Sequence, residues 1–219
     1  MKTYRLHHNL EFDLIKNFGF ASGKEVNKFE NYKKFAKCLL SNTSCEVSNY
    51  SLYHNDCAIY STIGYDRCCL VMGRQEGKTN FTLVHAIREA MKKGGSHIVI
   101  YVANDSCIKI CRERLDEMLN PLYLVSDTSN NRYNLINGSS ITLSQTIDTE
   151  TDYDLVLIDD ICWFSDEQIR SLKEIMNNFH KMVIVTSDTM NKLEAYNFFE
   201  DIKHDKSFTY VRFENLDEE

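Results

Sequence analysis

The residues best equipped for chemistry form the run GRQEGKT, Gly73 to Thr79, between an apolar stretch, Cys68 to Met72, and a helical pattern, Thr79 to Lys93. A strand feeding a glycine-bearing turn and then a helix is the setting in which a polyphosphate is held. Gly77 lets the backbone turn so that successive N–H groups face a phosphate, and the helix N-terminus adds the positive end of its dipole. Lys78 is expected to reach the β and γ oxygens, and Thr79 to supply a hydroxyl to Mg²⁺. The general pattern G-x-x-x-x-G-K-[ST] places a glycine five positions before Gly77, where this chain has Met72. The strict motif therefore fails, and the strand-turn-helix context carries the assignment.

A second run, DLVLIDD, Asp154 to Asp160, is an apolar strand ending in two carboxylates. Ligands of parallel sheets gather at the carboxyl ends of the strands, so Asp159 is expected beside Thr79, holding Mg²⁺ through a water, with Asp160 facing the attacking water. Alone, such a pair is also the ordinary acidic cap of a strand end. Joined to the lysine turn, it reads as nucleotide hydrolysis. A third strand, Met182 to Ser187, ends in Thr186, Ser187 and Asp188, at the level where a hydroxyl senses a γ-phosphate. Trp163 and Phe164 are expected to pack the next helix, and His85, His97 and His180 have no partner legible in the sequence.

These residues need a scaffold, and the hydrophobic pattern supplies one. From Arg67 onward short apolar runs (Cys68 to Met72, His97 to Ala103, Leu155 to Asp159, Met182 to Ser187) alternate with helical stretches (Thr79 to Lys93, Asp105 to Leu119, Ser165 to Asn178, Asn191 to Ile202). That alternation indicates βαβ units and a mostly parallel sheet flanked by helices. Asn137-Gly138, between the alternating segments RYNL and SSITLS, is a hairpin signal, and a last strand is expected near Phe208 to Phe213. The first fifty residues differ. Val26, Phe29, Tyr32, Phe35 and Leu39 recur at helical spacing among Lys28, Lys33, Lys34 and Lys37, so residues 1–50 read as a helical appendage or lid and 51–219 as the nucleotide-binding domain.

The 219 residues carry 25 Lys and Arg against 32 Asp and Glu, a net charge of −7, and are 43% hydrophobic. There is enough apolar side chain for a sizeable core, which excludes a largely disordered chain. The acidic balance argues against a protein that coats a duplex by neutralising many phosphates and leaves room for local, transient contact. Such contact would fall to a few lysines such as Lys92, Lys93 or Lys203. No apolar run approaches the roughly 20 residues that cross a bilayer, and Met1 to Phe12 lacks the apolar centre of a signal peptide. The eight cysteines include no C-x-x-C pair, so reduced thiols in a cytosolic protein are expected rather than zinc or a disulfide framework.

With these motifs in hand, the chain resembles the ATPase domain of the large terminase subunit, the DNA-packaging motor of tailed bacteriophages. The likeness rests on the deviant lysine turn G-R-Q-x-G-K-T at Gly73 to Thr79 and on N-G-S-x-I at Asn137, Gly138, Ser139 and Ile141. It continues in the strand end Val185 to Ser187 and the aromatic-rich helix at Tyr196, Asn197, Phe198 and Phe199, covering about Tyr53 to Phe213. The resemblance implies a P-loop NTPase of the additional-strand, RecA-like type, using ATP and Mg²⁺ to thread double-stranded DNA into a capsid. It further implies a homo-oligomeric ring in the host cytoplasm, docked on the procapsid portal, with portal protein and small terminase subunit as partners.

By the same resemblance Gly73, Arg74, Gln75, Glu76, Gly77, Lys78 and Thr79 bind the nucleotide, with Tyr53 and His54 near the base. Arg74 would stabilise charge at the γ-phosphate, Asp160 would orient water, and Thr186 with Ser187 would couple hydrolysis to movement. Three departures are on the page. Asp160 stands where relatives carry glutamate, Ser144 to Tyr153 lacks the arginine many relatives place there, and the family's nuclease domain has no counterpart before Glu219. The expectation is thus an isolated ATPase domain, or one whose nuclease lies elsewhere. Two further readings stay open: a hydrolysis-impaired nucleotide-binding assembly module, and a helicase-like DNA translocase.

Overall fold

The computed structural model describes residues 2–3, 66–73, 77–92, 94–119, 124–148, 150–187, 189–190 and 192–212. Apart from Lys2 and Thr3, the expected N-terminal appendage lies outside the described residues, as do Tyr53, His54, Arg74, Gln75, Glu76 and Asp188. In chain order the strands are β1 (Lys2–Thr3), β2 (Arg67–Val71), β3 (His97–Tyr101), β4 (Val125–Ser129), β5 (Arg132–Leu135), β6 (Ser140–Ser144), β7 (Leu155–Asp159), β8 (Met182–Thr186) and β9 (Thr209–Arg212). The helices are α1 (Lys78–Lys92), α2 (Asp105–Leu119), α3 (Asp166–Ile175) and α4 (Leu193–His204), with a 3₁₀ turn at Ile161–Trp163.

The sheet order is β1-β9-β2-β8-β7-β3-β6-β5-β4. Every neighbouring pair from β1 to β6 is parallel, and β6-β5 and β5-β4 are antiparallel. Strand β8 thus lies between the lysine-turn strand β2 and the carboxylate strand β7. The alternation of runs anticipated the βαβ units and the mostly parallel sheet, and the additional-strand, RecA-like arrangement is the one the resemblance implied.

Both faces of the sheet are covered, which explains why the parallel strands read as unbroken apolar runs. Alternate residues part to opposite sides. Cys68, Leu70, Ile98, Ile100, Leu155, Leu157, Val183 and Val185 meet α1 and α2 through Phe81, Val84, Ile87, Cys111 and Leu115. Cys69, Val71, Val99, Tyr101, Val156, Ile158, Met182 and Ile184 meet α3 and α4 through Ile169, Leu172, Ile175, Phe198 and Ile202. Helix α3 starts in a full capping box, the Ser165 side chain accepting from the Gln168 N–H and the Gln168 side chain accepting from the Ser165 N–H. Among the described residues no helix is long and apolar enough to cross a membrane, and Cys68, Cys69, Cys107, Cys111 and Cys162 are free thiols.

The antiparallel end of the sheet holds one element the sequence reading missed. The Asn137-Gly138 turn joins β5 to β6 as expected, with Gly138 at φ 82°. Strand β4, however, pairs with β5 through a two-residue turn at Asn130 (φ 45°) and Asn131 (φ 61°), the left-handed pair that asparagine tolerates. The N-G-S turn also fastens α1. Asn137 Nδ2 and Ser139 Oγ each donate to the Ala90 carbonyl at 2.9 Å, and Ser139 Oγ accepts from the Ser96 N–H at 3.1 Å. Ala90 is among the last carbonyls of α1, which have no partner within the helix.

Ser139→Ala removes a buried hydroxyl bonded on both sides and is expected to lower the unfolding free energy by about 1–2 kcal/mol. Urea denaturation checks this, with the midpoint falling and the slope unchanged.

Candidate nucleotide-binding site

Because β2, β8 and β7 run parallel and side by side, their carboxyl ends open at one edge of the sheet. The turn after β2, the acids ending β7 and the hydroxyls ending β8 therefore converge. Gly77 adopts φ 82°, a left-handed conformation that only glycine enters freely, and α1 begins at the next residue. The N-terminus of α1 is thus directed at the same edge, carrying N–H groups that have no partner within the helix and the positive end of the helix dipole.

Thr79 Oγ1 donates to Asp159 Oδ2 at 2.7 Å, and Thr82, one turn further on, lies 3.3 Å from Asp159 Oδ1. Both side chains reach Asp159 from the first turn and a half of α1, across the gap that β8 spans. The Lys78 ammonium donates to the Gly73 carbonyl at 3.0 Å and stands 3.5 Å from Asp160 Oδ2. Lys78 is only 8% exposed, so its charge sits in a place that calls for anionic partners.

Asp160 has a left-handed backbone, φ 58° and ψ 72°, which turns the chain sharply at the end of β7. Its N–H donates to the Val185 carbonyl at 2.7 Å, tying the turn to β8. The Oδ1 oxygen collects the Cys162 thiol at 3.0 Å, the Ser187 N–H at 3.3 Å and the Thr186 hydroxyl at 3.5 Å. Thr186 and Ser187, singled out in the sequence as coupling residues, thus both touch Asp160. Cys162 was not singled out, because an isolated cysteine two residues past a carboxylate carries no spacing signal.

Burial drives the Asp159 carboxyl up to about 6, reinforced by the Asp160 charge and opposed by the bonds from Thr79 and Thr82 and by the Lys78 charge. A second negative charge next door and a low-dielectric surround both favour the protonated form. A cation bound against Asp159 would reverse that balance, and the oxygen donors here, a hydroxyl and carboxylates, suit Mg²⁺. Among the described residues no group of three or more His, Cys, Asp or Glu could hold a metal ion. Burial also pushes the Cys162 thiol up to about 12, so it remains a hydrogen-bond donor at neutral pH.

Other expectations resolve more simply. Phe164 is fully buried under α3, as anticipated, whereas Trp163 is 58% exposed. His85 stacks on Phe81, His97 Nδ1 meets Ser140 Oγ at 3.0 Å, and His180 lies 3.4 Å from Asp66. Lys203, a candidate for contact with nucleic acid, pairs with Glu200 at 3.2 Å.

No protein-family model and no curated protein matches the chain. Among solved structures, the HK97 bacteriophage large terminase superposes with a TM-score of 0.61 at 15% identity, over 89% of this chain and 45% of that one. The chain therefore spans less than half the length of that protein. The UvsW helicase from bacteriophage T4 superposes with a TM-score of 0.52 at 10% identity, over 87% of this chain and 68% of that one. At these identities the likeness is one of fold, a mixed sheet flanked by helices in the RecA-like P-loop pattern.

The raised Asp159 pKa has a definite sign in stability. Between its ordinary value of 3.8 and about 6 the folded chain holds a proton that the unfolded chain has lost, so this group's contribution to stability fades as pH rises through about 6. Asp159→Asn, which cannot ionise, is expected to gain on the native protein by up to ~3 kcal/mol as pH rises from 4 to 7 without divalent metal. Paired urea titrations across that range measure the difference.

Proposed function

We propose that the chain is a Mg²⁺-dependent ATPase domain of a viral DNA-packaging motor of the large-terminase type, coupling hydrolysis to translocation of double-stranded DNA. The single observation that carries this reading is the meeting of Thr79 with Asp159 and of Lys78 with Asp160 at one sheet edge. The terminase-like fold of the HK97 relative and the G-R-Q-x-G-K-T and N-G-S-x-I runs support the packaging assignment over other P-loop functions.

In the proposed reaction the backbone from Gly73 to Thr79, with the α1 N-terminus, cradles the triphosphate. Lys78 gives up the Gly73 carbonyl and Asp160 for the β and γ oxygens, and Arg74 adds positive charge where the transition state spreads negative charge. Thr79 and Asp159 are the residues that would hold Mg²⁺, which when bound neutralises the β and γ oxygens. Asp160 orients the attacking water with Oδ2, the oxygen turned toward Lys78. Thr186 and Ser187 sense the orientation of Asp160 and pass it to β8. Gln75 and Glu76 complete the phosphate turn, and Tyr53 and His54 flank the base. Residues 1–50 are proposed as an appendage or lid of the domain.

The DNA contacts proposed are non-specific and borne by phosphates, since a motor has no use for base readout. A ring of copies docked on a portal in the host cytoplasm, recruited with a small subunit, completes the proposal. One observation favours a second reading, a hydrolysis-impaired assembly module: Asp160 is a methylene shorter than glutamate, and its Oδ1 is tied to the end of β8.

Lys78→Ala is expected to lower ATP turnover by at least about a hundred-fold while the unfolding midpoint stays near native. Phosphate release by the folded variant is the measurement, and undiminished release would sink the ATPase reading. Asp160→Glu separates the two readings. A gain of about ten-fold or more marks an enzyme slowed by the shorter side chain, and turnover staying near zero marks the assembly module. DNA-stimulated turnover without portal or capsid binding would instead indicate a helicase-like translocase.

A further inference from the structure

The Asp160 carboxylate is asymmetric. The Cys162 thiol, the backbone N–H of Ser187 and the Thr186 hydroxyl all fall on Oδ1, while Oδ2 faces the Lys78 ammonium. The shortest of the three contacts is the thiol, at 3.0 Å, inside the 3₁₀ turn that starts directly after Asp160. The contacts from the Thr186 hydroxyl and the Ser187 N–H are longer, and the hydroxyl has a second acceptor. Thr186 Oγ1 also lies 3.2 Å from the Ser187 carbonyl. The sulfur is in turn reached by Ser187 Oγ at 3.6 Å, so a chain runs from the Ser187 hydroxyl through the Cys162 thiol to the carboxylate. Linked donors of this kind polarise one another and act together. Cys162 is buried, with 8% exposure, and its raised pKa keeps the proton on sulfur.

We propose that Cys162 is a positioning residue for hydrolysis: its thiol tethers Asp160 Oδ1 and leaves Oδ2 turned toward the phosphate end of the site, where it orders the attacking water. The proposal rests on the ATPase reading above. An aspartate on a left-handed backbone has two side-chain torsions, and the thiol selects the setting that aims Oδ2 at Lys78. Without the tether the carboxylate swings between Oδ1-in and Oδ2-in arrangements, and the water loses its fixed acceptor. The effect belongs to the chemical step, because the thiol bonds the Asp160 oxygen that does not face Lys78.

The test compares native protein, Cys162→Ala, Cys162→Ser and Lys78→Ala in ATP turnover, each with its urea midpoint. Cys162→Ala is expected to lower kcat about ten-fold with KM for ATP unchanged within about two-fold, since a misaimed base costs rate rather than binding. Cys162→Ser, which restores an O–H donor, is expected to recover most of that loss. A merely structural role would lower stability in both variants and leave kcat of the folded protein intact. Native kcat in Cys162→Ala overturns the proposal, as does a serine variant as slow as the alanine one. If turnover vanishes in Lys78→Ala but stays at the native rate in Cys162→Ala, the positioning role alone falls; if the native protein shows no turnover, both readings fall.

Should Cys162→Ala fail to fold, the S–H stretching band in infrared, isolated as native minus Cys162→Ser, serves instead. A band displaced to low frequency that returns toward the free-thiol position in Asp160→Ala supports the tether. A band indifferent to Asp160→Ala overturns it.

Discussion

The site depends on one hydrogen bond, from Thr79 Oγ1 to Asp159 Oδ2 at 2.7 Å, which joins the first turn of α1 to the end of a strand two places away in the sheet. It forms only if β2 and β7 run parallel and end level with each other. The strand between them must then match both. Register does this: Val71 lies beside Thr186, and Asp159 beside Val185, so the last residues of β2, β8 and β7 line up to within one position. A slip of one residue in β8 would exchange its buried faces and move Thr186 off the edge, which the apolar packing on both sides of the sheet forbids.

Electrostatics set a second constraint on the same few atoms. Two adjacent carboxylates and one lysine share a largely buried edge, and the carboxylates differ by environment. Asp159 is enclosed, with hydroxyls from α1 on its oxygens, and its carboxyl is pushed up toward neutrality. Asp160 is more open, turned by its left-handed backbone, with one oxygen held by the end of β8 and the other facing the ammonium. Neighbouring acids in unlike surroundings are free to do unlike jobs. On the proposed reading, Asp159 would hold the cation and Asp160 would orient the water.

Much of this was legible in the sequence because parallel strands buried on both faces announce themselves as short unbroken apolar runs. Helix α2 at Asp105–Leu119 and strand β7 at Leu155–Asp159 fall on the residues their patterns predict, and the helix and strand boundaries elsewhere shift by one to a few residues. The convergence of Lys78, Thr79, Asp159, Asp160, Thr186 and Ser187 followed from topology alone. Strand β4 did not, because Val125–Ser129 is polar and mostly exposed at the sheet's margin, where no core face imposes alternation. Cys162 was equally silent, since its importance lies in an angle set by the Asp160 turn rather than in any spacing.

The N-G-S turn has a mechanical meaning beyond its place in the sheet. Helix α1 is gripped at one end by the Asp159 carboxylate through Thr79 and Thr82, and at the other by Asn137 and Ser139 through the Ala90 carbonyl. A rod clamped at both ends behaves as a strut. A push delivered where α1 begins is met at the helix's far end by the side chains of the β5–β6 turn, so it travels as displacement of the whole rod rather than being lost in fraying of the last turn.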